Sequence, residues 1–108
     1  MQAGSSSSAP LTGVRVLDLS LTLPGPYATF LLSQLGAEVT RVVPPWGDAA
    51  EEFLPTLSLV HQGKRTLALD LKKPAGRQQL LEEVASADAF LEGFRPGVAG
   101  RLAPIRTP

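Results

Sequence analysis

The sequence predicts an α/β fold with a mostly parallel sheet and flanking helices. Three observations lead there. Short apolar runs alternate with segments of helical period. A strand, a helix and a second strand follow one another within about thirty residues, the length of a βαβ unit. The first of those strands is apolar on both faces, as in a buried strand of a parallel sheet.

The elements follow in order. Met1–Pro10 holds Gln, Ala, Gly and a run of serines and reads as a disordered lead-in. It has neither the basic flank nor the apolar stretch of a secretory signal. Val14–Leu19 is β-branched and short, a buried strand. Ser20–Pro26 breaks it with Pro24, Gly25 and Pro26. A helix is expected over Tyr27–Leu35, where Ala28, Leu31, Leu32 and Leu35 share one face. Gly36 is its natural stop. Glu38–Val43 is the second strand, ended by Pro44 and Pro45. Trp46–Gly63 reads as a loop with a short helical piece and an acidic patch of Asp48, Glu51 and Glu52. Thr66–Leu71 alternates as a strand. Pro74 suits the first turn of a helix, with Leu80, Leu81, Val84 and Ala85 as its buried stripe. Ala89–Glu92 is a further strand, Phe94–Gly97 a turn, and Val98–Leu102 the start of another helix. The expected organisation is a lead-in over 1–10, one domain portion over 11–103 and a tail over 104–108.

Composition narrows the function. The 108 residues are enough for one domain, and 44% of them are apolar. Formal net charge is zero, which speaks against a nucleic-acid binder. With no cysteine and a single histidine there is no disulfide framework, no thiolate nucleophile and no multi-His metal site. No apolar run approaches the roughly 20 residues that cross a bilayer, so no membrane role and a cytoplasmic location are expected.

Candidate chemistry is sparse. Lys64, Arg65, Lys72, Lys73 and Arg77 gather half of the ten basic residues, with Asp70 the one acid among them. Such a cluster suits a phosphorylated ligand; a solvated surface is the plainer alternative. The turn Leu23–Pro26 leads into a helix N-terminus, which favours anions, but Pro26 lacks an N–H and no G-x-G-x-x-G is present. His61, beside Gln62 and Gly63, reads as a loop residue rather than a base. None of the carboxylates is paired at a diagnostic spacing. From the residues alone, the reading stops at an α/β domain with a local basic patch.

Several stretches together resemble the N-terminal part of the family III CoA-transferases, which include formyl-CoA and carnitine CoA-transferases and α-methylacyl-CoA racemases. They are Leu11–Leu19, Pro24–Pro26, Leu35–Val39, Gly47–Asp48, Gly63–Lys72, Ala87–Asp88 and Phe94–Gly97. Each motif is weak alone; the ordered set is specific. The resemblance implies a Rossmann-like domain, interlocked homodimers or association with the remainder of a transferase, coenzyme A as ligand, no metal, and acyl-CoA as the partner molecule. Carried over by position, it implies coenzyme A contacts from Leu23 and Pro24, from Leu69, Asp70, Leu71 and Lys72, from Gly93, Phe94 and Arg95, and from Arg101. Lys72, Arg95 and Arg101 suit phosphates, and Phe94 suits the adenine.

Two positions depart from the family pattern. Val43 stands where members usually carry Glu, and Gly93 where many carry Asn. In the transferases an Asp attacks the acyl-CoA thioester and passes through an acyl-aspartyl anhydride to an aspartyl-CoA thioester. In the racemases a His and an Asp exchange the α-proton. The resemblance places these groups beyond Pro108, so no catalytic residue is expected within this chain. The alternatives are a racemase-type portion and a non-catalytic module that binds coenzyme A or a protein partner.

Overall fold

The computed structural model describes residues 9–20, 24–47 and 57–93. Among these, the elements are β1 (Arg15–Leu19), α1 (Pro24–Gln34), β2 (Glu38–Val43), α2 (Leu57–Val60), β3 (Arg65–Ala68), α3 (Pro74–Ser86) and β4 (Ala89–Glu92). The strands form one sheet in the order β3-β2-β1-β4, and every pair is parallel. The predicted α/β class and parallel sheet are present, with β1 central. This is the strand order of half a doubly wound fold, and it reverses direction between β1 and β4.

Side-chain alternation along β1 divides the core between two faces. Leu17 and Leu19 join Val42, Leu69 and Leu80 in a cluster packed by Leu81 and Val84 of α3. Val16 points the other way and joins Ala37 and Val39, with Leu32 of α1 against them. Helices therefore cover both faces, which is why the strands carry near-continuous apolar runs. Asp18 shares the α1 face with Val16 and is 1% exposed.

The strand boundaries of β2 and β4 are those expected. β1 begins at Arg15 rather than Val14, and several other features differ. First, α1 begins at Pro24 rather than Tyr27. Proline lacks the N–H that a first turn leaves unused, so Pro24 and Pro26 enter the helix instead of ending the preceding loop. Second, its inward face is Pro26 and Thr29, while Ala28 and Leu31 are exposed and Leu32 and Leu35 half-buried. The helix is rotated because a polar group lies beneath it. Third, β3 runs over Arg65–Ala68, short of Leu71. The Leu69 N–H still donates to the Val43 carbonyl at 2.9 Å, and Asp70 then turns the chain by accepting the Lys72 N–H on Oδ1 at 3.0 Å. In α3, Leu80 is buried as expected but Ala85 is exposed.

Gly36 ends α1 with φ +105°, and the Ala37 N–H donates back to the Leu32 carbonyl at 3.1 Å. This six-residue return is a glycine-dependent helix stop. Pro74 occupies the first turn of α3, as its position in the sequence suggests. The acidic patch Asp48–Glu52, the Phe94–Gly97 turn and the Val98–Leu102 helix lie outside the described residues.

Candidate functional site

All four strands run the same way, so their following loops gather at one edge of the sheet. These are Ser20 onward after β1, Pro44–Gly47 after β2, Leu69–Lys73 after β3 and Gly93 after β4. Ligands of open α/β sheets lie along this carboxyl edge, at the point where strand order reverses. That point falls between β1 and β4, where Leu19 is in register with Glu92.

The residues that the resemblance singles out fall along this edge where they are described. Pro24 opens α1 and Gly93 follows β4, both beside the reversal point. Leu69, Asp70, Leu71 and Lys72 follow β3 at the far side of the sheet. Three strand spacings separate β4 from β3, about 14 Å, a span that suits a long ligand rather than a compact one. Leu23, Phe94, Arg95 and Arg101 lie outside the described residues.

The loop after β3 is built with care. Asp70 bonds the Lys72 N–H, and the Lys73 N–H donates to the Asp70 carbonyl at 3.1 Å. Arg77 reaches back from α3 and donates through one guanidinium nitrogen to the carbonyls of Leu71 (3.2 Å) and Lys72 (3.3 Å). Gly76 is packed directly on Asp70: a Cβ there would sit 2.7 Å from the Asp70 carbonyl carbon and closer still to its oxygen. Leu69 is buried in the core, so only its backbone faces the edge. Lys72 is exposed, with its ammonium 5.9 Å from the ring centroid of Trp46, the residue after Pro44 and Pro45. Trp46 is 67% exposed. A cation over an open indole offers a flat apolar surface beside a positive charge.

The basic cluster of the sequence disperses into separate duties. Arg65 pairs with Glu83 at 2.9 Å. Arg77 holds loop carbonyls. Lys72 and Lys73 remain exposed at the edge. Lys64 does not face solvent at all: its side chain is wholly inside, 3.5 Å from the carboxylate of Asp18.

This buried pair is the feature the sequence reading missed. Asp18 Oδ1 accepts the Ser20 N–H at 2.8 Å and the Ser20 hydroxyl. Asp18 Oδ2 accepts the Thr29 hydroxyl at 2.5 Å. Lys64 Nζ donates to Thr29 Oγ1 at 2.7 Å and to the Pro26 carbonyl at 2.9 Å. Burial pushes the Lys64 amine below its ordinary value; the charge of Asp18 and its hydrogen bond oppose this, and Arg41 adds to it. Arg41 is itself buried on β2, in register with Asp18. The available signal was an acid inside an apolar strand run, a position where an unpaired carboxylate is not tolerated.

A doubly wound α/β sheet, whose ligands lie in the crevice at the carboxyl ends of its strands, defines the class of domain. The chain belongs to one family within it: the model of CoA-transferase family III matches residues 11–103. Among similar proteins are an acyl-CoA transferase of Fusarium pseudograminearum, 33% identical over 94% of this chain and 26% of that protein. Another is the α-methylacyl-CoA racemase of Mus musculus, 45% identical over 85% of this chain and 22% of that protein. The crystal structure of Rv3272 from Mycobacterium tuberculosis superposes with a TM-score of 0.82 at 39% identity, covering 88% of this chain and 28% of that one. The chain thus spans about a quarter of the length of the curated relatives named here. No helix among the described residues is long and apolar enough to cross a membrane.

Proposed function

We infer that this chain is the coenzyme A-holding N-terminal part of a family III CoA-transferase, working on acyl-CoA in the cytoplasm as a homodimer or with the remainder of a transferase. The observation that carries the reading is the carboxyl edge. Pro24 and Gly93 flank the strand reversal, and a braced loop presents Lys72 beside Trp46 at the other end. In this reading the exposed lysine meets a phosphate and the indole offers a face to the adenine. The transfer chemistry needs an Asp carboxylate that the resemblance places past Pro108.

A second reading is favoured by the 45% identity to the mouse racemase. There the same edge would hold an acyl-CoA for exchange of its α-proton. Solvent deuterium entering an acyl-CoA, with no CoA passed to an acceptor acid, separates that reading from transfer in a protein that carries the downstream segment.

Trp46 is the one tryptophan of the sequence, which supplies a direct test. Its emission should be quenched on titration with CoA, and the affinity should fall with added salt because Lys72 is exposed. Lys72→Ala should weaken binding severalfold and no more, since an exposed charge contributes little. Emission unchanged at millimolar CoA would contradict the reading.

A further inference from the structure

The Lys64 ammonium makes its short bonds to α1 and its long one to Asp18. Nζ is 2.7 Å from the Thr29 hydroxyl and 2.9 Å from the Pro26 carbonyl, but 3.5 Å from the carboxylate. Asp18 is already served by the Ser20 N–H, the Ser20 hydroxyl and the Thr29 hydroxyl. The lysine is thus not needed to satisfy the carboxylate's hydrogen-bonding capacity. What it adds is a tie from the chain just before β3 to the first turn of α1, 38 residues away in sequence. The opposite side of that turn is fixed as well. A Cβ on Gly25 would run into the Ser20 side chain, so the turn is packed hard against a residue that Asp18 holds by two bonds. An apolar side chain would fill the same interior space at a lower cost of burial. A buried lysine here fits a need for one particular placement of α1.

We propose that Lys64 is a positioning residue: by joining Asp18 to the Pro26 carbonyl, it sets where the Pro24–Gly25 turn stands against the bound ligand. The proposal rests on the coenzyme A reading and adds to it a residue that touches no ligand. Its consequence is that affinity depends on a bond at the back of the turn. A misplaced turn costs binding even when the sheet is intact.

The test compares the wild-type chain with three variants, each titrated with CoA and melted. Asp18→Asn/Lys64→Met removes one charge of each sign and so keeps the charge balance around buried Arg41; it keeps an acceptor for Ser20 and lets the amide donate to the Thr29 hydroxyl, but removes the tie to α1. It should melt close to the wild type and bind CoA roughly tenfold to a hundredfold more weakly. Asp18→Asn/Lys64→Gln returns a neutral donor for the Pro26 carbonyl and should regain part of that loss. Arg65→Ala breaks the outer pair with Glu83; it should lower stability a little and leave affinity unchanged. A Met variant that binds CoA as tightly as the wild type overturns the proposal, as does equal weakening in the Gln variant. A wild type that ignores CoA instead removes the coenzyme A reading, and the proposal with it. Should both double variants unfold, the Lys64 ammonium resonance of the wild type decides: it should move on saturation with CoA, and an unmoved resonance overturns the proposal.

Discussion

Lys64→Met is expected to destabilise the fold by about 3–5 kcal/mol, the usual consequence of deleting one partner of a buried ion pair. The lysine side chain is wholly buried and the Asp18 side chain 1% exposed, so water cannot replace the missing cation. The methionine fills the space but takes away the cation that bonds into the Asp18–Thr29 cluster, leaving Arg41 as the other buried cation beside the carboxylate. Adding Asp18→Asn should return stability to within about 1 kcal/mol of the wild type, because it restores the charge balance around Arg41 and removes the cost of burying the pair. Urea denaturation of the three proteins measures both changes. A pH signature accompanies them. The Lys64 amine is held below its ordinary value of 10.5, so the unfolded chain binds that proton more tightly than the folded one. Stability contributed through this group therefore rises with pH across the window between the lowered folded value and 10.5, and the rise is absent from the double variant. A single Lys64→Met variant as stable as the wild type would show that the pair contributes nothing to the fold.

Gly76→Ala is expected to cost about 1–3 kcal/mol through overpacking. Helix propensity alone predicts the opposite sign, a gain of up to about 1 kcal/mol for alanine over glycine inside a helix. Packing decides. The added methyl would meet the backbone of Asp70, with its carbonyl carbon at 2.7 Å and its nitrogen at 3.3 Å, and no flexible side chain can give way. Either α3 or the loop after β3 has to shift. The same shift would move Lys72, so the loss of stability should come with weaker CoA binding. Thermal melts and the Trp46 titration read the two effects. A stabilised Gly76→Ala would mean that the loop yields easily and that its bracing by Asp70 and Arg77 is incidental.

The sheet was legible because its signals are local. Glu38–Val43 and Ala89–Glu92 are short apolar runs bounded by turn residues, and both became strands with those bounds. Pro74 and Gly36 carried their usual meaning at the two ends of helices. The start of α1 was misread because Pro24, Gly25 and Pro26 look like a break, whereas prolines in a first turn are compatible with a helix. Its inward face was misread for a deeper reason. Periodicity assumes that a helix turns its apolar residues to the core, but Thr29 faces inward to meet Asp18. Asp18 and Lys64 are 46 residues apart, and nothing local announces that they touch. The ligand edge stands between these cases. Composition yields only a basic cluster, and the resemblance supplies the positions. Strand order then gathers Pro24, Asp70, Lys72 and Gly93 at one side of the sheet.

The most direct measurement of the central claim is the change in backbone amide resonances of the chain on titration with CoA. The account predicts that the largest shifts fall at the carboxyl edge: at Ser20 and Gly25 after β1, Trp46 and Gly47 after β2, Asp70–Lys73 after β3, and Gly93 after β4. The amino ends of the strands, at Val14, Ala37 and Asp88, should stay in place. Shifts concentrated at those amino ends, or none at millimolar CoA from a folded chain, would contradict the assignment of this edge to coenzyme A.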